Sequence, residues 1–351
     1  MAAIDRFEFL FKEITTVFTS IKDTFAIVGV LYTSRKALCV TARVICTIHT
    51  HAFSKLSSGR ELRKKFGPWA VVTGSSEGIG QAYAKELAKR GLNIVLVSKG
   101  KQRLHRAAKE IEEEYHVQTC AVLVDFCSER EVYDKIWEAI EDKEIGILVN
   151  NVGVMYDYPD FFLEVPVERL WQIINVNVAA ATIMTHMILP QMVKRGRGAV
   201  VMVSTGTCTQ ITPQMTIYAA SKSFLDYFAK ALQYEYKDKG IIVQSLRPLY
   251  VATRMTEYSK TLSSTSMWIP SASLYAKHAV TTLGYSSRTT GYWPHGLLSW
   301  VVEMIPEWLW MWGSGRLNSA FRRQASDRVR RKSLVLSRSQ DSFDTLQDSV
   351  E

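Results

Sequence analysis

Six short runs, WAVVTG at 69–74, NIVLVS at 93–98, TCAVLVDF at 119–126, IGILVNN at 145–151, GAVVMVS at 198–204 and IIVQSLRP at 241–248, recur along the chain with helix-length segments between them. A strand with one wet face would alternate apolar and polar residues, but these runs are apolar nearly throughout, so both faces must be covered. Parallel strands joined by crossover helices satisfy that demand. The expected fold class is therefore α/β, a Rossmann-type doubly wound parallel sheet. One such domain over 66–312 would leave an N-terminal segment at 1–65 and a disordered tail at 313–351, within a chain of 351 residues.

The net charge is +9, but the charge is unevenly spread. Residues 24–65 hold eight Lys/Arg against one acid and residues 322–338 hold seven against one, while residues 66–321 hold only about +1. A near-neutral middle argues against a nucleic-acid-binding core, and basic flanks suit an anionic membrane surface or a targeting segment. From Thr24 to Arg60 there is no acid, whereas Arg35, Lys36 and Arg43 interrupt the apolar stretches. That pattern predicts an interfacial amphipathic or organelle-targeting segment in preference to a spanning helix, with a solvated helical hairpin as the alternative. Five cysteines with no CxxC spacing predict buried thiols and no metal site. The tryptophan-dense LLSWVVEMIPEWLWMWG after Gly291 reads as a pocket wall, a headgroup-level segment or a packed terminal helix.

The first run ends at Thr73 and enters Gly74-Ser75-Ser76-Glu77-Gly78-Ile79-Gly80, ahead of a helix. Glycines there allow a tight turn and a close approach of backbone to a pyrophosphate, which unpaired N–H groups at a helix N-terminus stabilise. The second run ends at Ser98-Lys99, where a carboxylate would select NAD by accepting from the ribose 2′-hydroxyl. A lysine in that place favours the 2′-phosphate, hence NADP(H). Asp125 and Asn150-Asn151-Val152-Gly153 stand at the ends of the third and fourth runs, where Asp125 is expected to accept from the adenine amino group. Tyr218 and Lys222, four apart on a helix, share a face. The ammonium is expected to lower the phenol toward the working range, so that Tyr218 donates a proton to a carbonyl as hydride arrives. Thr205 is expected to orient the substrate oxygen and Asn177 to hold a relay water.

Taken together, TGSSEGIG at 73–80, NNVG at 150–153, Asn177, Thr205 and Tyr218-x-x-x-Lys222 resemble the short-chain dehydrogenase/reductase family over about 66–305. The resemblance implies an NADP(H)-dependent oxidoreductase with Tyr218, Lys222, Thr205 and Asn177 as catalytic residues. Thr205 departs from the family's serine. PLYVAT at 248–253 is similar to the steroid 17-ketoreductase and very-long-chain 3-ketoacyl-CoA reductase branch, which implies nicotinamide contacts from Val251 and Thr253 and a hydrophobic small-molecule substrate. It also implies a homodimer. Within that branch the hydroxysteroid dehydrogenase-like group implies a mitochondrial location, with the endoplasmic reticulum membrane as the alternative. Some of that group are held inactive because phenylalanine replaces the tyrosine that is Tyr218 here. A non-catalytic cofactor-binding protein is accordingly the alternative function.

Overall fold

The computed structural model describes residues 2–48, 62–128 and 130–347. They fall in two compact units, 1–53 and 54–351. The first contains one helix, α1 (Ala2–Ile48), whose apolar residues run all round instead of along one stripe. Phe9, Leu10, Phe11, Phe18 and Phe25 are all exposed. Over Glu8–Ala42 the helix is long and apolar enough, by length and composition, to cross a membrane. The helix lacks the expected amphipathic stripe, and its apolar character supports the expected targeting or membrane association. Between Glu13 and Arg35 the only charges are Lys22 and Asp23, adjacent and opposite in sign, so the apolar stretch begins well before Phe25. The basic residues Lys55 and Arg60 lie outside the described residues.

In the second unit, β1 (Trp69–Thr73), β2 (Asn93–Ser98), β3 (Thr119–Leu123), β4 (Ile145–Asn150), β5 (Gly198–Val203), β6 (Ile241–Leu246) and β7 (Arg288–Thr289) form one sheet in the order 3-2-1-4-5-6-7. Every pairing is parallel. β4 and β5 are buried at all six positions, which is why their sequences carry no polar alternation. β7 has only two residues and so left no apolar run to read. It is held by Arg288, which makes two hydrogen bonds to the buried Asp226 carboxylate of 3.1 and 2.9 Å.

Helices cover both faces. On one, α3 (Gly78–Ala88), α4 (Lys101–Tyr115) and α10 (Ala272–Thr281) bury Tyr83, Leu87, Leu104, Ile111 and Tyr275. On the other, α5 (Glu131–Ile140), α7 (Ala180–Arg195) and α8 (Thr216–Tyr236) bury Ile136, Ile140, Met184, Ile188 and Leu225. Each such side chain contributes about 1.5–3 kcal/mol by leaving water, which stabilises a doubly covered sheet over one bare on a face. Around these lie α2 (Leu62–Phe66), α6 (Val167–Ile173), α9 (Lys260–Ser263), α11 (Trp293–Met304) and α12 (Glu307–Gln347). Since Phe66 is buried, α2 belongs to this unit and the expected boundary at 65 falls inside it.

The expected end at 312 falls inside α12 as well. Ser314, Asn318 and Ala325 are buried. Asn318 Nδ2 donates to the Pro213 carbonyl at 2.8 Å, and Gln214 Nε2 donates to Ser319 Oγ at 2.7 Å. The residues from 313 to 326 look like a polar tail by composition, yet their small residues recur at helical spacing and dock on the domain.

Candidate active site

The strand order reverses between β1 and β4, and ligands of such sheets bind where the loops at that reversal diverge. Gly74 has φ +65 and Gly78 φ +61, both left-handed. A Cβ on Gly74 would stand 2.9 Å from Val152 Cα, and one on Gly80 would stand 2.2 Å from the Gly74 carbonyl oxygen. Side chains at these two positions would fill the cradle. Thr73 Oγ1 accepts from the backbone N–H groups of Asn151 and Val152, both at 3.0 Å, and Asn151 Nδ2 donates to the Thr73 carbonyl at 2.9 Å. The Asn-Asn-Val-Gly turn thus ties β4 to the glycine turn. The buried Ser75 hydroxyl has no partner in the structure.

Gly74, Ser76, Gly78, Ile79, Ser98, Lys99, Asp125, Asn151, Gly153, Thr205, Tyr218, Lys222, Val251 and Thr253 line a single cleft of about 320 Å³. Ser75, Gly80 and Asn177 stand behind its wall. At one end Ser98 Oγ donates to Ser76 Oγ at 2.9 Å, and Lys99 Nζ is 3.7 Å from Asp125 Oδ2. Asp125 also accepts from the Cys127 N–H at 3.0 Å. Arg103 lines the same end, one turn into α4, where nothing in the sequence pattern singled it out. Glu77 joins Arg103 at 3.6 Å to Arg254 at 2.7 Å, linking loops 177 residues apart in sequence, a pairing no local signal could reveal.

At the other end Lys222 is buried, and its Nζ donates to the Val203 carbonyl at 3.0 Å. A Cβ on Gly153 would approach that nitrogen to 3.0 Å, so glycine there leaves the ammonium its space. Burial pulls the Lys222 ammonium down to about 8. Burial also pushes the Tyr218 phenol up to about 12, with Tyr250 acting in the same direction. The expected lowering of the phenol by the ammonium is therefore not what the protein alone provides. Desolvation is the leading cause of both shifts, disfavouring the charged form of each group.

Asn177 lies in a π-helical turn, Ile174–Ala179, between α6 and α7. Its Oδ1 accepts from the Val154 N–H at 2.8 Å, and its Nδ2 donates to the Val154 carbonyl at 3.0 Å and to Ser221 Oγ at 2.9 Å. The side chain thus clamps the loop after β4 beside Tyr218. Thr205 Oγ1 donates to the Pro248 carbonyl at 3.3 Å. Thr253 caps a short turn in which Thr256 Oγ1 accepts from its N–H at 3.2 Å and donates to the Val251 carbonyl at 3.3 Å. His295 was also missed. Its Nδ1 accepts from the Leu249 N–H at 3.2 Å while its Nε2 meets the Trp268 carbonyl at 3.1 Å, so the buried ring fixes the loop that borders the cleft. Burial holds its pKa down to about 4, which keeps it neutral in that role.

These features fit a dinucleotide: a cradle that side chains would fill, an unpartnered buried hydroxyl in the turn, and cations at the far end beside two serines. The short chain dehydrogenase family model matches residues 68–262. Inactive hydroxysteroid dehydrogenase-like protein 1 of Homo sapiens is 49% identical over 325 residues, covering 93% of this chain and 98% of its own. Hydroxysteroid dehydrogenase-like protein 1 of Gallus gallus is 49% identical over 312 residues, covering 89% and 94%. Very-long-chain 3-oxoacyl-CoA reductase of Anas platyrhynchos is 44% identical over 242 residues, covering 68% and 76%. Among solved structures, a short-chain dehydrogenase from Sphingobium yanoikuyae in complex with NADPH has a TM-score of 0.56 at 28% identity, covering 61% of this chain and 83% of its own. With its sheet order, its glycine turn and a family match over more than half its length, the chain belongs to the short-chain dehydrogenase family.

Proposed function

We propose that the cleft binds NADP(H) and that the chain interconverts a carbonyl and an alcohol on a hydrophobic substrate, a steroid or fatty acyl derivative. The observation that carries this reading is that Tyr218 and Lys222 line the same cleft as the glycine turn. The nicotinamide supplies the hydride. Tyr218, protonated across the neutral range, gives its proton to the carbonyl oxygen as negative charge develops there. Lys222 holds the ribose hydroxyls, Thr205 orients the substrate oxygen, and Asn177 positions the loop that borders both. Val251 and Thr253 face the carboxamide. Met155, Met215 and Tyr258 give the substrate end an apolar lining.

The names of the relatives weigh toward a second reading, a cofactor-binding protein without turnover, because the Homo sapiens relative is called inactive. Against it stands Tyr218 itself, the residue whose replacement is associated with inactivity in the group.

NADPH should bind more tightly than NADH in a fluorescence titration, because Lys99 stands where an NAD site places a carboxylate and Arg103 lines the same end of the cleft. Each charge-assisted contact is worth about 1.5–3 kcal/mol, so Arg103→Ala should weaken NADPH roughly 10- to 100-fold and leave NADH unchanged. Equal loss for both cofactors would remove the 2′-phosphate assignment.

The unit at 1–53 supports membrane association, with the mitochondrion as the proposed compartment and the endoplasmic reticulum as the alternative. If α1 inserts, alkaline carbonate should leave the full chain in the membrane pellet and extract a chain lacking residues 1–53. Extraction of both would show that α1 does not span. Exposed Phe224, Tyr227 and Tyr234 on α8 support a dimer through that helix.

A further inference from the structure

The substrate end of the cleft is closed by three segments joined to one another. Asp160 N–H donates to the Gln214 carbonyl at 2.9 Å, and Asp160 Oδ1 pairs with Arg322 Nε at 2.6 Å. Gln210 Nε2 donates to the carbonyls of Val302 and Ile305 at 3.2 and 3.1 Å. Thr212, Met215 and Asn318, drawn from two of these segments, line the cleft. The loop at 160–164, the segment at 210–215 and the stretch 302–322, from the end of α11 into α12, are therefore joined around one opening.

That rim turns large apolar groups outward. Leu163 is 92% exposed, Trp308 69% and Trp312 58%, and Phe161 and Ile211 are also exposed. Patches of this kind on a protein surface mark contact with a partner or a bilayer. Charge indicates which. Trp308, Trp312 and Arg316 follow one another at spacing four on α12, so they form one stripe, and the Arg316 guanidinium lies 4.7 Å from the centre of the Trp312 ring. Arg322 is 4.9 Å from the Phe161 ring. The chain then continues with Arg323, Arg328, Arg330, Arg331 and Lys332 against the single acid Asp327. Indole rings suit the headgroup level, where the ring is buried and the N–H stays wet, and Arg316 beside Trp312, with the basic sequence that follows, suits anionic headgroups. Asp160, Glu164 and Glu307 are acids of this rim, and the first of them is paired with Arg322.

We propose that this rim docks onto an anionic lipid bilayer, so that the cleft opens at the membrane surface through a contact separate from α1. The contact depends on neither turnover nor the cofactor assignment.

Tryptophan fluorescence isolates it, because α1 contains no tryptophan and the first in the chain is Trp69. The full chain would be mixed with vesicles of phosphatidylcholine and phosphatidylglycerol carrying brominated acyl chains. The expected result is a blue-shifted, quenched emission that is lost in Trp308→Phe/Trp312→Phe. Arg316→Glu should shift quenching to higher anionic-lipid content. Circular dichroism and NADPH titration of each variant would establish that it is folded. Vesicle co-flotation with unquenched tryptophan would mean that α1 alone makes the contact and would overturn the proposal. So would a blue shift that follows protein concentration without vesicles, which would mean that a second copy of the chain covers the rim.

Discussion

Replacing Tyr218 by phenylalanine should lower carbonyl reduction about 10²- to 10⁴-fold while leaving NADPH affinity unchanged. The ring packs against the cluster of Tyr156, Val165, Ile173 and Met215 through its aromatic body, so the substitution removes only the hydroxyl. The phenol near 12 adds a directional expectation. In reduction Tyr218 begins protonated at any physiological pH and needs no ionisation. In alcohol oxidation it must first lose that proton, so the oxidation rate should climb with pH through the neutral and mildly alkaline range while reduction does not. Steady-state rates in both directions against pH, with steroid and acyl carbonyl panels, would check this. Retained turnover in Tyr218→Phe would end the proton-donor assignment. Wild type that binds NADPH but reduces nothing would establish the second reading, and the variant would then match wild type in every measurement.

The sheet was legible because its strands are covered on both faces: GAVVMV and IGILVN cannot sit at a wet surface, and turn residues fall at their ends. Gly74, Gly80 and Asn151 were legible for a related reason, since their chemistry is local to one turn. The state of the Tyr218 and Lys222 pair was not. Spacing four places both groups on one face, but the sign of each pKa shift depends on how much water the whole fold removes, and here desolvation leads in both. Asn177 shows the same limit in hydrogen bonding. Both of its amide N–H groups are taken, by Val154 and Ser221, partners fixed by a π-helical turn that no residue pattern announced. Arg103 and Arg254 reach the cleft, and His295 the loop that borders it, from segments far apart in sequence, and a pattern read along the chain does not register such pairings. The end of the domain was misplaced because 313–326 was weighed by composition when its burial has helical period.

Lys222→Met should make the protein more stable at neutral pH while it cripples cofactor binding. The ammonium is buried and held down to about 8, against an ordinary value near 10.5, so its charged form is disfavoured by the fold. At 1.36 kcal/mol per unit the penalty is about 3 kcal/mol. The sign follows from proton counts. Between pH 8 and 10.5 the unfolded chain holds the proton that the folded protein has lost, so stability rises with pH across that window. Below pH 8 both states are charged and the full penalty applies. Methionine keeps much of the aliphatic volume and carries no charge, so it relieves the penalty but forfeits the hydrogen bond to the Val203 carbonyl, worth about 1 kcal/mol. The expected net gain at pH 7 is about 2 kcal/mol in denaturant unfolding, shrinking toward zero and then reversing by pH 10.5. The same substitution removes the proposed charge-assisted contacts to the ribose, a loss of roughly 10- to 100-fold in NADPH affinity. A variant less stable than wild type at pH 7, or a difference that stays constant from pH 7 to 10, would show that the ammonium is not strained by its burial. A gain in stability paired with a loss of cofactor would mark Lys222 as retained for the ligand and not for the fold.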